Sequence, residues 1–383
     1  MSPAAGGYFD RLSAALRAAG VGEPALIVDA AALDANVAAV RAATQAAGLA
    51  TRVVVKSLPA RGLIERVADG LDTQRMMVFN RPMLVEAARS WPDADLLLGK
   101  PLSAVAAGQA MDELPEGARP QWLVDTPERL KAYAALAGTR GQALKVALEI
   151  DVGMHRGGLA SAEEVAAMLD LADALPGVEV SGLMGYEPHV VKMPDRGAAF
   201  ARAVAAFTAA KAVLLARRQG AAGGLTFNMA GSPTYTLHGG ESPANEVSIG
   251  SAFVQPSGFD DSGLAAHRPA AFIATPALKV IPRDTAPRGL AGLLGEGAKA
   301  AVFIHGGHWL ATPEHPQGLA YSPVYGRSSN QELLVAHEDV PGPEDFVFLR
   351  PAQSEAVLLQ FGPILVYEGG AITGRWPTFE VSA

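Results

Sequence analysis

Between residues 52 and 249 the chain repeats one pattern, a short apolar run followed by an Ala-rich segment of helical composition. The runs are RVVVK (52–56), RMMVF (75–79), ADLLL (94–98), QWLV (121–124), LKVALEI (144–150), VEVSGLMG (178–185), LTFN (225–228) and NEVSI (245–249). Unbroken apolar runs of this length suit strands covered on both faces, and strands that alternate with helices build a parallel sheet. One intervening segment shows the helical half of the repeat: Val165, Met168, Leu169 and Ala172 recur at helical spacing behind a Ser161 cap, with Glu164 three residues on. Eight such units in about 200 residues fit a closed (β/α)8 TIM-type barrel better than an open sheet.

After residue 265 the pattern changes. ALKVIP, KAAVFIH, ELLVAH, FVFLRP, AVLLQF and ILVYEGG are separated by Pro, Gly and charged turns, which predicts an antiparallel β domain. An isolated strand, PALIVDA (24–30), precedes the first helix and is expected to join that domain. The expected organisation is an N-terminal segment at 1–30, a barrel at 31–265 and a β domain at 266–383.

Composition removes several classes of function. The formal net charge is −8 and Lys and Arg form no cluster, so neither a nucleic acid nor a membrane surface is an expected partner. The chain has no cysteine, which removes disulfides and thiolate metal sites. Residues 219–240 carry no Asp, Glu, Lys or Arg, yet are too rich in Gly, Thr and Ser to span a bilayer. The start, MSPAAGGYFDRLSAAL, has no basic segment before an apolar core, so the expected location is the cytoplasm.

In such barrels the active site is built from residues just past the strands, and phosphate commonly binds beyond strands seven and eight. Read in order, those positions give Lys56 after the first strand, Asp151, His155 and Arg156 after the fifth, and Tyr186, Glu187 and His189 after the sixth. NMAGSPTY and GSAF follow the last two, as Gly/Ser turns suited to a phosphate. An amine, an arginine, an imidazole and a phosphate cradle, with no Walker lysine or Rossmann glycines, is the set that pyridoxal 5'-phosphate requires. Each residue also has a plain structural reading: Lys56 reaching solvent, Arg156 pairing with Asp151, His189 as a satisfied interior histidine.

PALIVDAAALDANV, VVVKS, EIDVGMHRGGL, GLMGYEPH, NEVSIGSAF, FVFLRPAQSE and GRWPTF occur in order over nearly the whole chain. In these motifs the chain resembles the alanine-racemase-like, fold type III, pyridoxal phosphate enzymes, and among them the D-threonine aldolase and D-serine dehydratase family. The resemblance implies that Lys56 is the Schiff-base lysine, that Arg156 lies near the cofactor's phenolic oxygen, and that His189 packs on the pyridine ring or handles protons. It places Gly231, Ser232, Gly250 and Ser251 in the phosphate-binding turns, with Tyr235 a further candidate, and Ser248 where racemases have an arginine facing the pyridine nitrogen. It also implies a homodimer acting on a small amino acid.

Two positions depart from the family. Gln353 and Glu355 replace the metal-binding His and its partner, so a divalent metal is left open, both residues offering oxygen to a hard ion. His305 and His308 stand where relatives have an acidic residue and a lysine, and are read first as catalytic or substrate-contacting groups, with a metal site and a structural role as the alternatives. The activity expected is a lyase that cleaves or dehydrates a β-hydroxy D-amino acid, with His189 or His305 as base. The alternatives are an amino-acid racemase of the same fold and a non-catalytic pyridoxal phosphate-binding protein.

Overall fold

The computed structural model describes residues 5–219, 223–260 and 263–380. Both ends of the expected organisation, including the first residues of the N-terminal reading, and residues 220–222 of the charge-free stretch lie outside these.

A helix α1 (Ala5–Ala18) leads into β1 (Ala25–Asp29) and then α2 (Ala30–Ala46). The barrel strands follow: β2 (Ala50–Val54), β3 (Arg75–Val78), β4 (Asp95–Leu98), β5 (Gln121–Val124), β6 (Leu144–Ile150), β7 (Val178–Gly185), β8 (Thr226–Met229) and β9 (Glu246–Ile249). All pair in parallel, and the ring closes where β2 meets β9, with Ala50 opposite Glu246. Between successive strands run α3 (Arg61–Leu71), α4 (Arg81–Ser90), α5 (Ala104–Glu113), α6 (Pro127–Arg140), α7 (Ala162–Ala174) and α8 (Arg196–Arg217). No α-helix separates β8 from β9; the connection is the Gly/Ser turn and a short 3₁₀ segment, Tyr235–Leu237. The start of α7 is fixed as its sequence predicts: the Ser161 hydroxyl accepts from the Glu164 N–H at 3.2 Å, and the Glu164 carboxylate accepts from the Ala160 N–H at 2.8 Å. By length and composition α8 could cross a membrane. In this fold it lies on the barrel's outer wall and buries Ala203, Phe207 and Leu214.

The second sheet contains β10 (Ala271–Pro282), β11 (Ala300–His305), β12 (Ala311–His315), β13 (Leu319–Tyr321), β14 (Gln331–Ala336), β15 (Phe346–Pro351), β16 (Ile364–Glu368) and β17 (Ala371–Trp376), with a short helix α9 (Arg288–Leu293) between β10 and β11. It is mostly antiparallel. β1 is inserted between β10, which it meets antiparallel, and β16, which it meets in parallel. The reading of AVLLQF as a strand is corrected: residues 355–359 form a turn, in which the N–H groups of Val357 and Leu358 both donate to the Ser354 carbonyl. Val357 and Leu358 are fully buried, so the run is apolar because it plugs the barrel against the sheet, not because it alternates faces.

Alternation inside the barrel decides what reaches the site. Successive strand residues face opposite sides, so Arg52, Val54 and then Lys56 follow one another up the barrel interior. The lower layer is polar, which the apolar strand pattern conceals. Arg52, without solvent exposure, donates to Glu246 at 2.6 and 2.9 Å and to the Asp95 carboxylate at 2.9 Å. Gln121 joins Asp95 to Thr226, and Ser181 donates to Gln121 at 2.9 Å. One step up, the Asn228 amide donates to both Glu246 and Ser248 at 2.8 Å, linking this layer to the barrel mouth.

Candidate active site

A pocket of about 100 Å³ opens at the C-terminal mouth of the barrel. Lys56 stands in it, but not as the last residue of the strand, as the sequence pattern suggests: β2 ends two residues earlier, at Val54, and the lysine lies on a 3₁₀ turn, Val55–Ser57. Its ammonium is 4.7 Å from the centre of the Phe79 ring and 3.7 Å from the Glu355 carboxylate, and its side chain is 38% exposed, open to a ligand. Glu355 is carried in by the 355–359 turn. Its two oxygens accept from Ser57 at 2.6 Å and Ser354 at 3.1 Å. Burial alone raises a carboxyl pKa; here the Lys56 charge and the two hydroxyls outweigh it and hold Glu355 below the ordinary range.

The turns after β8 and β9 close the opposite end. The Ser232 hydroxyl oxygen accepts from the N–H groups of Gly250 at 3.3 Å and Ala252 at 2.9 Å, which clamps the turns together and leaves its own hydrogen to donate. Among the described residues the N–H groups of Ser232 and Ser251 have no hydrogen-bond partner, and both residues line the pocket. The Ser251 hydroxyl lies 3.0 Å from that of Ser354 and donates to Ser57 at 3.3 Å, which brings the lysine turn against the cradle. The glycines are there for space: a Cβ at Gly250 would lie 2.7 Å from the Ser57 side chain, and one at Gly231 2.5 Å from the Tyr186 ring. Replacing Gly231 with Ala therefore drives Tyr186 into the pocket. Equilibrium titration of the apoprotein with pyridoxal 5'-phosphate should then show about tenfold weaker binding, or ~1.4 kcal/mol, with the fold retained.

The side walls differ from expectation. Tyr186, not His189, is the ring that lines the pocket from the loop after β7, and burial, first, pushes its hydroxyl up to about 12. His189 turns toward Gly153, whose Cβ would lie 3.2 Å from its Nε2, and its Nδ1 is buried without a partner. Tyr235 is also turned away, its hydroxyl 2.6 Å from His267 Nε2. Ser248 lines the floor beside Asn228. His305 and His308 lie outside the pocket of their own chain. His305, at the end of β11, is 3.8 Å from Glu23, and His308 is exposed. Gln353 does not line the pocket whereas Glu355 does. Among the described residues no three His, Cys, Asp or Glu side chains converge. Asn228, Ser57 and Phe79 line the pocket without having been singled out in the sequence, and Tyr186, read there as one of the residues after the sixth strand, lines it too. The alternation that carries Arg52 and Val54 to Lys56 also carries Thr226 to Asn228 and Glu246 to Ser248.

Beyond Lys56 the pocket widens into an outer chamber of about 580 Å³ that shares Lys56, Phe79, Arg156 and Glu355 and adds Lys100, Asp125, Arg129 and Glu149. Arg156 lies 5.4 Å from the Tyr186 ring centre and has no ion-pair or hydrogen-bond partner among the described residues. It is not tied to Asp151, which instead accepts from His155. Glu149 is pushed up by burial and by the nearby Asp125 and Asp151, with Arg156 opposing.

The amine, the unpaired donors at Ser232 and Ser251 and the Cβ-free approach at Gly231 and Gly250 fit a flat aromatic aldehyde that ends in a phosphate. Solved structures of similar shape include D-threonine aldolase from Filomicrobium marinum (18% identity, 93% of this chain and 96% of that one, TM-score 0.75). D-threo-3-hydroxyaspartate dehydratase from Delftia sp. HT23 follows at 16% identity, 93% and 97% coverage and TM-score 0.74. Alanine racemase from Bacillus anthracis matches at 15%, 93% and 98%, with TM-score 0.66. No curated protein sequence matches the chain. Residues 28–257 match the family model described as alanine racemase, N-terminal domain. That match spans the whole barrel and more than half of the chain, so the protein belongs to the alanine racemase N-terminal domain family, of the fold type III pyridoxal phosphate enzymes.

Proposed function

We propose that the protein is a pyridoxal phosphate-dependent lyase that cleaves or dehydrates a small β-hydroxy D-amino acid. The observation that carries this reading is a lysine amine and an anion cradle at opposite ends of one pocket, with Phe79 and Tyr186 as walls between them. When bound, the cofactor supplies an aldehyde that condenses with an amine and a ring that draws electrons from the substrate's Cα.

The chain's own groups divide the remaining work. Lys56 offers the attacking amine, and Glu355, 3.7 Å away, takes up and returns its proton. Ser57 and Ser354 keep the Glu355 carboxylate turned toward the lysine. Arg156, with no ion-pair or hydrogen-bond partner among the described residues, binds an anionic group in the outer chamber. With His189 and His305 outside the pocket, the proton of the β-hydroxyl falls to Glu149, whose raised carboxyl suits it to hold and release a proton at that wall. Incubation with D-threonine or phenylserine tests the reading: glycine and an aldehyde mark retro-aldol cleavage, and a keto acid with ammonia marks dehydration. Neither product from any D-β-hydroxy amino acid, with or without added divalent metal, sinks it.

Racemisation is the second reading. It needs a second proton-handling group facing the bound substrate, and Tyr186, which keeps its phenolic proton at neutral pH, supports it. Exchange of the Cα hydrogen of alanine or serine in deuterated water, without aldehyde release, selects the racemase. Cofactor uptake with neither result selects a binding protein.

Glu355 makes a further prediction. Its carboxyl is held below the ordinary value, so its contribution to stability is present near neutrality and is lost as pH falls through the depressed value. Glu355→Gln should lower the apoprotein's melting temperature near about pH 7, and the gap to wild type should close toward about pH 3. A gap that stays constant over that range contradicts the pairing with Lys56.

A further inference from the structure

Glu187 is a fully buried carboxylate that faces neither the pocket nor solvent. It follows Tyr186 in the loop after β7, and the hydrogen bonds of its carboxylate all reach the connection between β8 and β9. One oxygen accepts from the Ala230 N–H at 3.2 Å; the other accepts from the Thr234 hydroxyl at 2.7 Å and lies 3.2 Å from His238 Nε2. His238 is held in turn by Ser242, 2.8 Å from its Nδ1.

These contacts set the polarity of the turn. The Thr234 hydroxyl donates to Glu187, so its hydrogen is spent there. The Thr234 oxygen is then left to accept from the Gly231 N–H, which it does at 3.1 Å. The N–H groups of Thr234 and Tyr235 both go to the Gly231 carbonyl at 3.0 Å, and Pro233 has none to give. Within the turn, Ser232 is left with an unpaired N–H and a free hydroxyl hydrogen, both on a pocket-lining residue. Ala230 is held at φ +65°, a left-handed conformation costly for a residue with a Cβ, and its bond to Glu187 opposes relaxation.

We propose that Glu187 is a positioning residue for the anion end of the pocket: through Ala230 and Thr234 it fixes the turn so that Ser232 presents its donors to a phosphate monoester. This rests on the pyridoxal phosphate reading above. Glu187 touches no ligand and acts only on how well the phosphate is held, so its removal should spare the reaction of Lys56 with an aldehyde.

The test compares two aldehydes that differ only in the phosphate. Apoprotein is titrated with pyridoxal 5'-phosphate and with pyridoxal, and attachment is read as visible absorbance and as borohydride-fixed mass on Lys56. Wild type should prefer the phosphorylated aldehyde. Glu187→Gln and Thr234→Val should each lose about tenfold of that preference, with pyridoxal affinity unchanged, while Thr234→Ser, which keeps the hydroxyl, retains it. A change that merely loosened the fold would weaken both aldehydes alike. If Glu187→Gln does not fold, the Thr234 pair gives the same comparison. A wild-type preference that survives in Glu187→Gln, or in both Thr234 variants, overturns the inference alone. Wild-type protein that attaches neither aldehyde overturns the cofactor reading and this inference with it.

Discussion

Lys56→Ala is expected to abolish covalent capture of pyridoxal 5'-phosphate and to lower turnover of any substrate by at least about 10³-fold, while leaving the fold intact. The structure gives three reasons for so large an effect. Among the described residues no other lysine lines the inner pocket, and Lys100 lines the outer chamber. The Lys56 ammonium is the counter-charge that helps hold the partly exposed Glu355 below the ordinary carboxylate range, so the variant loses the proposed nucleophile and frees the carboxylate beside it. The side chain rests against Phe79 without serving as core packing, so truncation removes reactivity more than stability. Mass spectrometry after borohydride reduction separates attachment from catalysis: wild type should gain one cofactor mass on the peptide carrying Lys56, and the variant none. If the variant is fixed at another lysine, or keeps wild-type turnover, the chemistry is not centred on Lys56.

The barrel was legible because eight runs of buried strand residues must be apolar on both faces, a signal that survives in a single sequence. Its boundaries at Gln121–Val124, Leu144–Ile150 and Val178–Gly185 coincide with the runs. What lies inside the barrel was not legible. Arg52 heads RVVVK and reads as the polar start of a strand, yet alternation turns it inward against Glu246, which heads EVSI for the same reason. The site divides similarly. Lys56, Ser232, Gly250 and Ser251 reach one pocket within three residues of a strand end, and Arg156 joins them from farther along the loop after β6. His189 lies three residues farther along its loop than Tyr186, and the 3₁₀ segment Pro188–Lys192 carries it away from the pocket. His305 ends β11 of the second sheet and His308 lies in the loop that follows, where no register visible in the sequence relates them to the barrel mouth. Glu355 does reach it, on a turn whose apolar residues imitate a strand.

Arg52→Met is expected to destabilise the protein by about 3–5 kcal/mol, the range for removing one partner of a buried ion pair. Arg52 has no exposed atoms to compensate, and its guanidinium serves two carboxylates and two backbone carbonyls, of Met76 and Asp95. Methionine fills much of the volume but satisfies none of them. Glu246 keeps one cation, Arg75 at 3.2 Å, but that side chain is nearly half exposed and screened by water. Asp95 makes the pH dependence explicit. Burial raises its carboxyl, and Arg52 more than offsets this, so it is held below the ordinary range and stabilises the fold at neutral pH. That contribution disappears as pH falls through the depressed value, so the penalty of Arg52→Met should shrink in acid. The same substitution should reach the pocket, since Glu246 is the acceptor that orients the Asn228 amide toward Ser248. Chemical denaturation of the apoprotein measures the first effect and cofactor affinity the second. A stability loss below about 1 kcal/mol would mean that Glu246 and Asp95 are neutralised or hydrated without Arg52, and that the polar layer beneath the site does not depend on its central cation.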